Sequence, residues 1–221
     1  MSADELVRLE DLIADYRIRP GDYLKAGWEL FRQNTAGFIG FSVVALIIIF
    51  ALNAKAGLGQ VLGYIVGPPL WAGFIIVAMK LLLQQPTEVN DFTNGFKFIL
   101  PLVLYSVVSS IFITVGFVLL IVPGLYLLVG YLFTSWLILD RKLDFWQAME
   151  LSRKTVHKHW FEVFGFFLLL CVINFGGLLL LGLGTLVTVP WTLCTLTVAY
   201  KDIFGIRSSS FYRSEKAASI N

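Results

Sequence analysis

Charge is scarce in this chain. Of its 221 residues 14% are Asp, Glu, Lys or Arg, against about 25% in soluble globular domains, while 57% are hydrophobic and 15% aromatic. With a mean hydropathy of +0.79, that composition excludes a water-soluble domain and predicts a chain that lives in a bilayer. Cysteine is scarce too. Cys171 and Cys194 both fall in apolar stretches, which favours small buried side chains over a disulfide or a metal pair. No His-Glu-x-x-His pattern is present, and His157 and His159, two apart, point to different sides of a helix. A glycine-rich phosphate loop leading into Lys-Ser or Lys-Thr is also missing. The apolar cores contain no carboxylate, lysine or arginine, so proton relays and midplane ion sites lack their usual residues. No catalytic residue, cofactor or metal is therefore expected, and no nucleic-acid partner. The acidic start, Met1-Ser-Ala-Asp-Glu, has neither the basic and apolar regions of a secretory signal nor an Arg-rich transit pattern, so the first apolar segment is expected to direct insertion.

Long uncharged runs are what the chain has instead. Residues 33–54, 56–79, 98–139 and 163–200 contain no charge. A hydrocarbon core of about 30 Å takes roughly 20 helical residues at about 1.5 Å each, so these windows hold one, one, two and two spans. The expected fold is all-α and polytopic, with six transmembrane helices. Sixteen of the 17 Lys and Arg residues fall before the first span, in the second and fourth loops or in the tail, and Lys55 alone falls on the other side. Because basic residues in short loops stay in the cytoplasm, both termini are expected there. Residues 1–21 form an acidic amphipathic segment and linker, 22–204 the membrane domain with hairpins at about 22–83, 91–139 and 144–203, and 205–221 a flexible tail.

The chain also resembles itself. Laid over 145–203 at a constant offset of 121, residues 24–82 give 12 identities in 59 pairs, including Glu29 with Glu150, Arg32 with Arg153, Asn53 with Asn174, Pro69 with Pro190 and Lys80 with Lys201. Each unit reads as amphipathic helix, apolar span, glycine turn, proline-bearing span and lysine. The middle stretch, 91–140, repeats this loosely around Pro123. Three parallel hairpin repeats are expected, which differ from the inverted repeats of many alternating-access transporters.

Pro69, Pro123 and Pro190 are candidate hinges, since a proline in a membrane helix frees a carbonyl that neighbours must satisfy. Asn53, Asn174, Thr188 and Thr192 are the conspicuous polar intramembrane residues, read either as helix-to-helix hydrogen bonding or as contacts to a ligand. Gly59, Gly63 and Gly67 recur every fourth position, the spacing that lets two helices approach closely.

Residues 144–160 have an amphipathic helical period, with five basic and two acidic residues over 141–158. Trp146, Arg153, Lys154, Lys158 and Trp160 suit a helix lying on an anionic inner leaflet or meeting a partner, although positive-inside topology alone would supply much of the charge. Residues 22–33 should behave alike. Residues 2–16 differ in sign, with a net charge of −4 and an apolar stripe of Leu6, Leu9, Leu12, Ile13 and Tyr16. That stripe is expected to dock on a basic groove, either of a partner protein or of this chain's own 141–158 face.

Lys25-Ala-Gly-Trp-Glu-Leu-Phe31, Pro123-Gly-Leu-Tyr126, Leu139-Asp-Arg141, Ala148-Met-Glu-Leu-Ser-Arg153 and Ala199-Tyr-Lys-Asp202 resemble the bacterial integral-membrane proteins of the YciC-like group. The pattern is similar to the membrane domain fused to some glycerophosphodiester phosphodiesterases. The resemblance covers about residues 22–204 and implies a six-helix membrane protein without an agreed activity. No phosphodiesterase domain or its acidic and histidine residues accompany it here. The leading expectation is a non-enzymatic module that binds a membrane-protein partner or a second copy of itself. A lipid or small-amphiphile transporter comes second and a membrane enzyme third.

Overall fold

The computed structural model describes residues 16–54, 57–180 and 182–206, and within them every side chain but those of Asn53 and Leu58. Leu6, Leu9, Leu12 and Ile13 lie outside the described residues. The described chain is helical without strands: α1 Pro20–Gln33, α2 Thr35–Asn53, α3 Leu58–Leu82, a 3₁₀ segment Val89–Phe98, α4 Ile99–Leu119, α5 Ile121–Gly130, α6 Thr134–Arg141, α7 Phe145–Lys158, α8 Trp160–Leu179 and α9 Thr185–Phe204.

Local chemistry sets the boundaries. Pro20 opens α1, where its missing N–H costs nothing. The Asn34 side chain then caps α2, accepting the Gly37 N–H at 3.2 Å, and a Cβ at Gly37 would strike that side chain. Asp144 caps α7 by accepting from the Trp146 N–H at 3.2 Å, while His157 and Lys158 in its last turn meet the negative end of the helix dipole. The helix expected over 144–160 is thus present.

Five stretches are long and apolar enough to cross a membrane: Thr35–Leu52, Gly59–Leu82, Val89–Leu119, Ile121–Arg141 and Trp160–Leu179. The sixth expected span, α9, has the length, at 20 residues, but carries five threonines, Lys201 and Asp202. Its polarity follows from its place. Nine of its residues are buried, and it contacts α1, α2, α3 and α8, so it meets protein on several sides. Half the positions in Gly59–Leu82 and Ile121–Arg141 are likewise buried (50% each), against 17%, 17% and 22% in the other three stretches. The bundle therefore has inner helices, α3, α5–α6 and α9, and outer helices, α2, α4 and α8, whose apolar faces are exposed.

The third uncharged window, 98–139, turns at Leu120, which is extended at φ −161° and ψ 145°. Pro123 is consequently in the first turn of α5 and kinks nothing, whereas Pro69 and Pro190 are inside α3 and α9. Gly63 and Gly67 face open space, so at these two positions no close approach is made among the described residues. One occurs further along α3, where a Cβ on Gly73 would strike the Phe92 carbonyl and one on Gly95 the Pro69 carbonyl.

The short amphipathic elements share one arrangement. α1 packs on α9, with Gly27 against Thr195; the 3₁₀ segment packs on α3; and α7 packs on α5 and α6, with the Ser152 hydroxyl donating to the Gly130 carbonyl at 2.7 Å. Charged ties accompany these crossings. Asp202 on α9 accepts from Tyr23 at 2.5 Å and from Arg19 at 3.2 Å. Lys80 on α3 meets Asp91 of the 3₁₀ segment at 2.8 Å, both buried. Asp140 on α6 accepts from Tyr200 at 2.8 Å, and Arg141 donates to the Phe204 carbonyl at 2.5 Å.

Candidate functional site

The most heavily functionalised surface is built around α7, which the buried stripe Ala148, Met149, Ser152 and Val156 fixes against α5 and α6. Its opposite face carries the charges. Arg153 grips Glu150 with two guanidinium bonds, 3.0 and 2.8 Å, and reaches the Tyr126 hydroxyl at 3.4 Å. This fork holds the Glu150 carboxyl below its usual range and raises the Arg153 guanidinium, each mainly through that shared hydrogen bond. Lys154 lies 3.9 Å from the same carboxylate.

Tyr126 gathers the far end of the site. Its hydroxyl is 3.1 Å from His157 Nδ1, and its ring stacks on Trp160 at 6.3 Å between centroids. A concavity of about 570 Å³ opens there, lined by Val122, Tyr126, His157, Lys158, Trp160, Phe161 and Glu162. A second, of about 290 Å³, lies among Arg153, Lys154, Thr155, His157 and Lys158. The two share His157 and Lys158 and so adjoin as one groove, basic at the Arg153 and Lys154 end and aromatic and apolar, with Glu162, at the other. Phe161 and Val122 are 83% and 73% exposed beside it.

The chain's own N-terminal arm borders the groove. The Tyr16 hydroxyl donates to the Thr155 carbonyl at 3.1 Å, its ring lies 4.7 Å from that of His159, and the Ile18 N–H donates to Glu162 at 3.2 Å. Burial raises the Tyr16 phenol well above its ordinary value, with the nearby Glu162 carboxylate adding to the effect.

The structure brings Arg153, Lys154, Lys158 and Trp160 together on this groove, whereas Trp146, half exposed at the start of α7, meets Phe112 of α4 instead. Asn174 donates to Thr192 at 2.7 Å and to the Leu170 carbonyl at 2.8 Å, a bond between α8 and α9 of the helix-to-helix kind. Thr188 presses on Gly177, its buried hydroxyl without a partner among the described residues, and the Asn53 side chain lies outside what is described. Tyr126 was not among the expected site residues. Its one signal is a phenol inside an apolar run, since a buried tyrosine hydroxyl usually finds a partner.

Among the described residues no group of three or more His, Cys, Asp or Glu is placed to hold a metal ion. Comparison with protein-family models, curated proteins and solved structures gave no match to this chain.

Proposed function

We propose that this chain is a non-enzymatic module of the bacterial cytoplasmic membrane that binds a membrane-protein partner through the groove on α7. One observation carries the reading: basic and exposed aromatic side chains line one built concavity, the combination typical of interface cores and their rims. The module has both termini and the α7 face in the cytoplasm, an orientation that the sixteen-to-one distribution of basic residues supports; hairpins α2–α3 and α8–α9 cross the membrane, whereas Val122 and Tyr126, beside Lys158 and His157, keep the Leu120 turn of the middle hairpin on the groove's own side. Three parallel hairpins, α2–α3, α4–α5/α6 and α8–α9, form a ring in which each short amphipathic element packs on the inner helix of the preceding hairpin. The cyclic order of the contacts supports this, and so does the position of Pro69 and Pro190, 13 and 14 residues before the ends of their helices. A relationship to the YciC-like group agrees with the same architecture.

The test is purification in mild detergent, with mass spectrometry of the protein and lipid that stay bound. A protein retained by the native chain and lost from a Lys154→Glu, Lys158→Glu, Phe161→Ser variant supports the reading; retention of lipid alone contradicts it. A second reading, movement of a lipid or small amphiphile, is favoured by the buried, unpartnered Asn174 Oδ1, Thr188 Oγ1 and Thr195 Oγ1 on α8 and α9. It requires lipid transfer between vesicles that Asn174→Leu and Thr188→Val abolish.

A further inference from the structure

The groove on α7 faces the point where the acidic N-terminal segment begins. Fifteen residues precede Tyr16, and they carry Asp4, Glu5, Glu10, Asp11 and Asp15 against Arg8, a net charge of −4. The groove carries Arg153, Lys154, His157 and Lys158 with Glu162, and Glu150 is tied to Arg153 and Lys154 beside it. Tyr16 is also the last member of the stripe that runs through Leu6, Leu9, Leu12 and Ile13, and it is buried at the groove's edge by its bonds to Thr155 and its contact with His159.

We infer that residues 4–15 dock in this groove, the apolar stripe on Val122, Tyr126, Trp160 and Phe161 and the carboxylates toward Lys154 and Lys158. Length agrees: twelve helical residues span about 18 Å and the 14 residues of α7 about 21 Å. Tyr16 acts as a tether of nearly zero length, which gives the segment an effective concentration in the millimolar range and an advantage over free competitors. A segment docked there covers the surface assigned above to a partner and competes with it. The docking itself needs no partner to exist, so the two readings stand or fall separately.

Disulfide trapping tests it in the full chain, with Cys171 and Cys194 replaced by alanine. Ile13→Cys with Phe161→Cys should cross-link within one chain at a rate independent of protein concentration, in detergent and in vesicles containing phosphatidylglycerol. Ile13→Cys with Ile47→Cys, on the exposed face of α2, should not. Lys154→Glu with Lys158→Glu should slow the cross-link about threefold to tenfold, the range for losing two partly exposed ion pairs. Asp11→Lys with Asp15→Lys should restore it. Dimer-sized products that increase with protein concentration would give the groove to a second copy, and loss of the cross-link in the vesicles would give it to anionic lipid. Either result overturns the inference, as does an absent cross-link in chains whose single cysteines react normally with maleimide.

Discussion

At the scale of single residues, the buried pair Lys80–Asp91 is the most consequential contact. Removing one partner of a buried ion pair leaves the other uncompensated, at a cost of about 3 to 5 kcal/mol. Asp91 also accepts the Glu88 N–H at 2.7 Å and Asn94 at 3.2 Å. Lys80→Met, which spares those two bonds, is therefore expected at the lower end and Asp91→Leu at the upper. Thermal unfolding in detergent reads the difference, and unchanged midpoints in both variants would remove the pair from the account. Glu150 gives a pH prediction. Its carboxyl is held below its usual range by Arg153, so its stabilisation is complete above the unfolded value of about 4.3 and is lost as pH falls through the lower, folded value. The pair is partly exposed and its contribution small, so Glu150→Gln should flatten the acid limb of stability against pH only slightly, and change nothing at pH 7 beyond the lost fork.

At the scale of elements, glycine separates the two kinds of helix contact. Gly27 lies against the Thr195 backbone, which cannot move aside as a flexible side chain would. Gly27→Ala is expected to cost about 1 to 3 kcal/mol, as overpacking does, whereas Gly63→Ala and Gly67→Ala should leave the midpoint of the isolated protein unchanged. Equal losses at all three positions would contradict the packing described. These elements also mark how far the sequence could be read. α7 was legible because its period is helical and Asp144 caps it, and the Asn174–Thr192 bond because polar side chains in apolar helices seek each other. The inner position of α9 was not, since hydropathy reads one segment at a time and a threonine-rich helix gains its environment from its neighbours. The break at Tyr131–Phe133, which separates α5 from α6, has no glycine or proline of its own to announce it. The close approach at Gly73 was not legible either, because its partner Phe92 belongs to a segment whose path along α3 no local pattern specifies. The groove was half legible: its charges stand together in the sequence, but Tyr126 and Val122 reach it from a different hairpin.

At the scale of the whole molecule, exposed apolar area and charge are segregated. The outer helices α2, α4 and α8 expose side chains such as Ile47, Phe50, Ile111 and Phe175, which lipid solvates, while the charged ties cap the ends of α3, α6 and α9. If the groove on α7 is the working surface, it must face the compartment that holds its partner, and the placement of all other charged loops follows from that. Labelling of single cysteines with a membrane-impermeant maleimide in intact cells decides this directly, in a chain with Cys171 and Cys194 replaced. Thr87→Cys, Lys142→Cys and Ser209→Cys should stay unlabelled from outside and react once the membrane is opened, while Lys55→Cys should label from outside. Labelling of Lys142→Cys in intact cells would put α7 on the wrong side of the membrane and contradict both the proposed orientation and a cytoplasmic partner.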